Sequence, residues 1–128
     1  MKVPKELKYT KEHEWVRVRG EEAEVGITDF AQGELGDVVF VELPAPGTQL
    51  SQMKGFGTID AVKTVSDLFA PVSGEVTAFN TELKDNPALI NQSPYEKGWM
   101  VRIKMRNPAE LDSLLTAEAY EKALGAHA

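Results

Sequence analysis

Two carboxylates and an imidazole lie next to each other near the start of the chain. Glu12, His13 and Glu14 directly precede Trp15. If this segment is extended, alternation sends the side chains of Glu12 and Glu14 to the same side. Two carboxylates on one side are able to hold a small cation. The same residues are also typical of a charged, solvent-exposed start of a strand. The sequence alone favours that simpler interpretation.

A lysine within a strongly β-prone run is the second unusual feature. Lys63 interrupts the segment from Ile59 to Asp67, which is otherwise rich in branched apolar residues and threonine. A single lysine in an edge strand is a common protection against aggregation. No glycine or asparagine marks a turn at Val62 and Lys63. The residues alone therefore predict one continuous strand through this region.

Motifs of known enzyme classes are mostly missing. Gly55 and Gly57 begin like a nucleotide-binding loop, but Asp60 stands where the third glycine would be required. Ser66, Asp67 and His13 are the residue types of a hydrolytic triad, but their spacing supports no such arrangement. A solvated serine and a surface histidine are the interpretation that the sequence favours.

Composition excludes several other functions. The 128 residues include no cysteine and only two histidines, so neither a disulfide framework nor a zinc ribbon is expected. The net charge of −6 argues against a nucleic-acid partner, which would require clustered lysine and arginine. No apolar stretch is long enough to span a membrane. The N-terminal residues lack the apolar core of a signal peptide, and we expect a soluble cytoplasmic protein.

The pattern along the chain predicts a mainly β fold with helical additions. Alternation predicts a hairpin over 15–27, and Thr28 is placed to cap a short helix that Gly36 ends. The valine-rich segment 37–43 is predicted to be a strand buried on both faces. Residues 80–98 are predicted to be a loop, residues 99–105 a strand, and two short helices to follow Asn107 and Thr116. A sandwich or flattened barrel fits these elements most simply.

Several separated motifs resemble the H-protein family of the glycine cleavage system. The segment IDAVKTVSDLFAPVSGEV, residues 59–76, resembles that family's lipoyl-attachment segment. The other matching motifs are HEWV at 13–16, GITD at 26–29, LGDVVFVELP at 35–44, LIN at 89–91, SPY at 93–95 and GWM at 98–100. They follow the family's order and together cover nearly the whole chain.

The resemblance implies a fold and a cofactor. It implies a lipoyl/biotinyl-type barrel-sandwich hybrid of two sheets, a short helix near 28–35, and one carrier domain over 1–128 with its β core at about 8–106 and C-terminal helices at about 108–124. It maps the family's modified lysine onto Lys63 and moves that residue to the tip of a tight hairpin. Lipoic acid, joined to Lys63 as an amide, is the implied cofactor. The protein would then be a carrier and not an enzyme.

The resemblance also implies the partners. They are a pyridoxal-phosphate-dependent glycine decarboxylase, a tetrahydrofolate-dependent aminomethyltransferase, dihydrolipoamide dehydrogenase and a lipoate-attaching enzyme. The carried aminomethyl group bears an amine that is cationic at neutral pH. Because Glu14 lies in a segment that the family places beside the arm, we hypothesise that Glu14, together with Glu12 and Asp67, receives this ammonium group.

Other functions remain open from the sequence. Another lipoyl or biotin carrier domain is the nearest alternative, although Val62 and Thr64 replace the methionines that flank the lysine in biotin carriers. An unmodified homologue that serves as a scaffold or in lipoate relay is a second alternative. A small hydrolase that uses His13 and Glu14 is a third.

Overall fold

A computed structural model describes residues 2–125 and consists of two antiparallel sheets with short helices at their edges. The strands are β1 (Lys8–Tyr9), β2 (Glu14–Arg19), β3 (Glu22–Ile27), β4 (Val38–Glu42), β5 (Gln49–Leu50), β6 (Gly55–Ala61), β7 (Val65–Phe69), β8 (Gly74–Phe79) and β9 (Val101–Met105). The helices are α1 (Asp29–Leu35), α2 (Glu82–Asp85), α3 (Leu89–Gln92), a 3-10 helix (Pro108–Ser113) and α4 (Ala117–Gly125). The mainly β, two-sheet architecture is therefore confirmed.

The two sheets differ in size, and each packs against its own apolar cluster. The larger sheet has the order β1-β2-β3-β9-β8-β5, and the smaller one has the order β4-β6-β7. Alternating apolar residues of the larger sheet, such as Val25 and Ile103, face a core that is fully shielded from solvent. Ile59 and Leu68 of the smaller sheet face a second apolar cluster. The small sheet is thus backed by apolar packing while its tip extends toward solvent.

Helix α1 follows the capping signals that its sequence predicts. The Thr28 side chain accepts a hydrogen bond from the Ala31 amide, and Gly36 ends the helix with a φ of 75°. Positive φ is a conformation that glycine adopts without strain. Leu35 is buried. The end of α1 is thereby fixed against the smaller sheet.

Three predictions from the sequence pattern about strands and loops are wrong. Residues 59–67 belong to a hairpin of β6 and β7 instead of one continuous strand, as the family resemblance implied. Residues 80–98 contain the helices α2 and α3, each only four residues long and without a side-chain cap. Strand β4 is not buried on both faces, because Val39 and Phe40 are each 54% exposed. No helix within residues 2–125 is both long and apolar enough to cross a membrane.

Candidate functional site: the lysine hairpin and the acidic cavity beside it

Lys63 lies at the exposed tip of the β6–β7 hairpin. The Ala61 amide donates a hydrogen bond to the Thr64 carbonyl at 2.8 Å, which leaves Val62 and Lys63 as the turn. Neither turn residue has a positive φ, so this is not one of the glycine-rich or asparagine-rich turns usual in hairpins. The Val62 amide instead donates to the Asp37 carbonyl at 3.0 Å. A contact from outside the hairpin therefore helps to hold the tip.

Gly36 provides space for the stem of Lys63. A Cβ atom added at position 36 would lie 2.9 Å from Lys63 Cε and 3.6 Å from its Nζ. A side chain at this position would displace the lysine stem. The carbonyl of Gly36 accepts a hydrogen bond from Asn91 Nδ2 at 2.8 Å, so the surface beneath the stem is itself anchored.

The amino group of Lys63 is available for acylation. Its side chain is exposed, and none of the ion pairs within residues 2–125 involves it. No other residue between 55 and 69 is basic. A long unbranched stem on a hairpin that is held at its tip suits the attachment of an acyl arm. These residues therefore fit a lysine-linked lipoyl group.

A cavity of about 270 Å³ lies beside β7, and the three acidic residues proposed from the sequence all line it. Its lining includes Glu12, Glu14 and Asp67, and also Ser66 and His13. Ser66 is three residues from Lys63, so their Cα atoms are at most about 10 Å apart even for a fully extended chain. The cavity is therefore within a short arm's length of the lysine.

Glu14 and Glu12 differ in exposure although both line the cavity. Glu14 is 1% exposed, whereas Glu12 is exposed. The chain turns between them, because the Thr10 amide donates to the Glu14 carbonyl and His13 adopts a φ of 70°. The alternation that the sequence predicted for this segment therefore does not apply. Asp67 is exposed, at the rim of the cavity.

The Glu14 carboxyl is held on both of its oxygens. Oε1 accepts a hydrogen bond from Thr10 Oγ1 at 2.5 Å, and Oε2 accepts one from the Phe69 amide at 3.3 Å. Burial removes water from the carboxylate and raises its pKa from 4.5 to about 7, although both hydrogen bonds act in the opposite direction. Glu14 is therefore a carboxyl that gains or loses a proton near neutral pH.

This raised pKa predicts that Glu14 destabilises the fold as pH rises. Between about pH 4.5 and pH 7 the folded state binds a proton at Glu14 that the unfolded state has lost, so the free energy of unfolding falls with rising pH by about 3 kcal/mol. Urea unfolding of Glu14→Gln should show a flatter pH profile than the wild type over this range. Glu21→Gln, at an exposed turn residue, should keep the wild-type profile. Parallel profiles for Glu14→Gln and the wild type would contradict this assignment.

His13 connects the cavity to the C-terminal helix. Its Nδ1 lies 2.8 Å from the Tyr120 hydroxyl, which in turn lies 2.7 Å from Thr28 Oγ1. The imidazole also lies 4.9 Å, between ring centroids, from Phe30. His13 is thus a half-buried residue in the wall of the cavity, whereas the sequence favoured a surface histidine. Two residues of this region were not predicted from the sequence. Thr10 reaches Glu14 across a turn, and Tyr120 reaches His13 and Thr28 from the far end of the chain.

Comparison with known proteins identifies the family. The model of the family described as "Glycine cleavage H-protein" matches residues 7–127. The chain belongs to the glycine cleavage H-protein family. Members of this family are lipoyl carriers of the glycine cleavage system and not its catalysts.

Individual H proteins are similar over almost their full length. The glycine cleavage system H protein of Anoxybacillus flavithermus is 58% identical over 122 residues, which cover 95% of this chain and 96% of that protein. The H protein of Staphylococcus carnosus is 54% identical over 125 residues, covering 98% and 99%. The crystal structure of the Mycobacterium marinum H protein superimposes with a TM-score of 0.89 at 39% identity, covering 96% of this chain and 99% of that one. This likeness is consistent with the barrel-sandwich hybrid fold.

Proposed function

We propose that this protein carries one lipoyl group as an amide on Lys63 and shuttles it between the enzymes of the glycine cleavage system. The observation that carries the proposal is the position of Lys63: an exposed lysine at the tip of a held hairpin, above Gly36 and within reach of an acidic cavity. The family membership supplies the class of cofactor. The cytoplasmic location stays a prediction from the sequence.

We infer three enzyme partners for the carrying cycle and one for loading. They are the pyridoxal-phosphate-dependent glycine decarboxylase, the tetrahydrofolate-dependent aminomethyltransferase, dihydrolipoamide dehydrogenase, and a lipoate-attaching enzyme. When bound, the lipoyl dithiolane supplies the sulfur that takes up the aminomethyl group and the disulfide that is reduced and reoxidised. Because the protein contains no cysteine, its own side chains do not compete in that thiol chemistry.

The chain's own residues would position and protect the cargo. Acylation turns the Lys63 ammonium into a neutral amide, while the hairpin fixes the base of the arm. Attachment to a docked carrier raises the effective concentration of the arm at an enzyme's active site. The cavity beside β7 would shelter the cargo from water between visits, and its acidic lining suits a cation.

Glu14, with Glu12 and Asp67, is the proposed receiver of the cationic amine. A cation close to a buried carboxyl favours its ionised form and lowers its pKa. Arrival of the cargo would therefore drive the proton from the Glu14 carboxyl, which burial holds near neutral pH. The charge created is paired with the cargo, and the Thr10 and Phe69 hydrogen bonds already hold both oxygens in place.

Replacement of Glu14 should shorten the lifetime of the loaded carrier. We expect Glu14→Ala to release its cargo to water about tenfold faster than the wild type, because a buried ion pair and part of the cavity wall are lost. The measurement is the rate of cargo hydrolysis after removal of the enzymes. Glu21→Ala, an acid outside the cavity, serves as the control. A wild-type lifetime for Glu14→Ala would remove this residue from the proposed role.

Reconstitution with purified enzymes tests the carrier function itself. The protein with a lipoyl group on Lys63 is mixed with the decarboxylase, the aminomethyltransferase, the dehydrogenase, glycine, tetrahydrofolate and NAD. This mixture should support continuous NADH formation. The same protein without the acyl group should support none. Equal NADH formation by both forms would refute the proposed function.

A further inference from the structure

Exposed apolar side chains concentrate around Lys63. Among residues 2–125, six large apolar side chains are exposed, and four of them lie at this end of the smaller sheet: Val39, Phe40, Val62 and Val65. We call these four residues the tip patch. Their exposed fractions range from 54% to 72%. Contiguous exposed apolar surface is uncommon in monomeric proteins and marks sites of interaction.

Strand register brings the tip patch together on one face. Phe40 pairs with Asp60, and Asp60 pairs with Val65, so the three residues form a row across β4, β6 and β7. Residues directly opposite each other in neighbouring strands share a face of the sheet. At about 4.8 Å between strands, Phe40 and Val65 lie roughly 10 Å apart. Val62 continues the surface onto the turn beside Lys63.

A β-bulge adds a further side chain to this surface. The register shifts between Val38 and Phe40, which leaves Val39 as an extra residue in β4. Val38 remains buried while Val39 and Phe40 are both exposed. Bulges redirect side chains and are frequent beside functional sites. The backbone itself therefore presents two consecutive apolar side chains to solvent.

The charges around the tip patch select the kind of partner. Segments 37–42 and 58–67 contain Asp37, Glu42, Asp60 and Asp67, and Lys63 is their only basic residue. Two copies of a chain with a net charge of −6 would repel each other at this acidic face. Anionic lipid would be repelled in the same way. A protein surface with an apolar recess and a basic rim complements both features.

We propose that the tip patch is the docking surface for the enzyme that acylates Lys63, an inference that rests on the proposed function. That enzyme must bring its acyl carbon within bonding distance of Nζ, so the mouth of its active site has to cover the residues next to Lys63. Enzymes that act on the far end of an attached arm can stand further from the tip. The acylating enzyme is therefore the partner that contacts Val62 and Val65 most directly.

The acylation step defines what the docking must achieve. The neutral Nζ amine attacks the carbonyl carbon of an activated donor, an acyl adenylate. The amide C–N bond forms, the bond between the acyl carbon and the phosphate oxygen of AMP breaks, and Nζ releases a proton. The tip patch takes no part in this chemistry. It holds the enzyme in register over Lys63, so its loss should weaken binding and leave the rate at saturation unchanged.

Initial rates of acylation test the proposal. Bare protein is incubated with a lipoate ligase of the adenylate-forming class, lipoate and ATP, and the product is followed by intact mass. We expect Phe40→Ser to raise KM for the carrier about five- to tenfold and Val65→Thr about threefold, with kcat within about twofold of the wild type. Val18→Thr is the matched control, because Val18 is 43% exposed on β2 of the other sheet. Its KM should stay within about twofold of the wild type.

The outcomes separate this inference from the proposed function. Wild-type KM values for Phe40→Ser and Val65→Thr would overturn the docking surface while leaving acylation of Lys63 intact. Wild-type protein that is never acylated would instead overturn the proposed function. Sedimentation that detects a wild-type dimer, and a monomer for Phe40→Ser, would assign the tip patch to a second copy and contradict the proposal. Thermal melting of each variant confirms that the fold is retained.

Discussion

Replacing Lys63 with arginine should abolish both acylation and glycine-dependent NADH formation in the reconstituted system. Arginine keeps the positive charge and much of the length of the side chain, but its guanidinium remains protonated and is a poor nucleophile. The result expected for Lys63→Arg is therefore no mass increase on incubation with the ligase and NADH formation at the background rate. A loss this complete follows from chemistry at one atom and requires no change in the fold.

Lys54→Arg is the matched control for this prediction. Lys54 is exposed and directly precedes β6, the strand that leads to the lysine tip. It lies outside the hairpin turn, and we expect its replacement to leave acylation and turnover unchanged. Acylation of Lys63→Arg at another lysine, with NADH formation preserved, would contradict the assignment of Lys63 as the attachment site.

Replacing Gly74 with alanine should lower the stability of the fold by about 3 kcal/mol or more. A Cβ atom at this position would lie 2.0 Å from the Lys104 carbonyl oxygen and 2.8 Å from Ile103 Cγ2. Gly74 pairs with Met105 of β9 on one side and with Leu50 of β5 on the other, so the strands would have to separate. A loss of 3 kcal/mol corresponds to roughly 10 °C in the melting temperature of a domain of this size.

Gly33→Ala tests the same added methyl group in a different environment. Gly33 lies in α1, and nothing lies within 4 Å of a Cβ atom added there. Alanine is the better helix former, so this variant should be about 0.5–1 kcal/mol more stable than the wild type. Calorimetry of both variants gives the two values. Equal effects of the two substitutions, in either direction, would show that contact with Lys104 does not determine the cost at Gly74.

Local signals explain the parts of the fold that the sequence predicts correctly. Helix α1 begins after Thr28, whose side chain bonds to the Ala31 amide, and ends at Gly36 with a positive φ. Both features depend on neighbouring residues only. The predicted hairpin over 15–27 forms from β2 and β3, which pair antiparallel across the turn at Gly20 and Glu21. Short-range chemistry is sufficient in these segments.

The hairpin tip could not be predicted from local signals. Its turn residues, Val62 and Lys63, are not typical of tight turns, and part of the support comes from the Asp37 carbonyl more than twenty residues earlier. The family resemblance placed Lys63 at the tip, where the residue pattern predicted a straight strand. Contacts between distant segments, and not propensity, determine this part of the site.

The exposure of β4 and the burial of Glu14 were missed for related reasons. A valine-rich strand has the same composition whether it is buried or forms an exposed patch, and the bulge that turns both Val39 and Phe40 outward leaves no mark in that composition. Glu14 is buried because a turn at His13 carries it inward, where Thr10 and Phe69 supply hydrogen bonds. Polar residues are usually exposed, so a buried carboxyl of this kind is found from the structure.

Peptide mapping of the protein isolated from its own cells, grown with glycine cleavage active, tests the central claim most directly. Mass spectrometry should find the peptide that contains Lys63 carrying a lipoyl group, and every other lysine without one. A Lys63 that is consistently bare while the cells continue to cleave glycine through this protein would contradict the account.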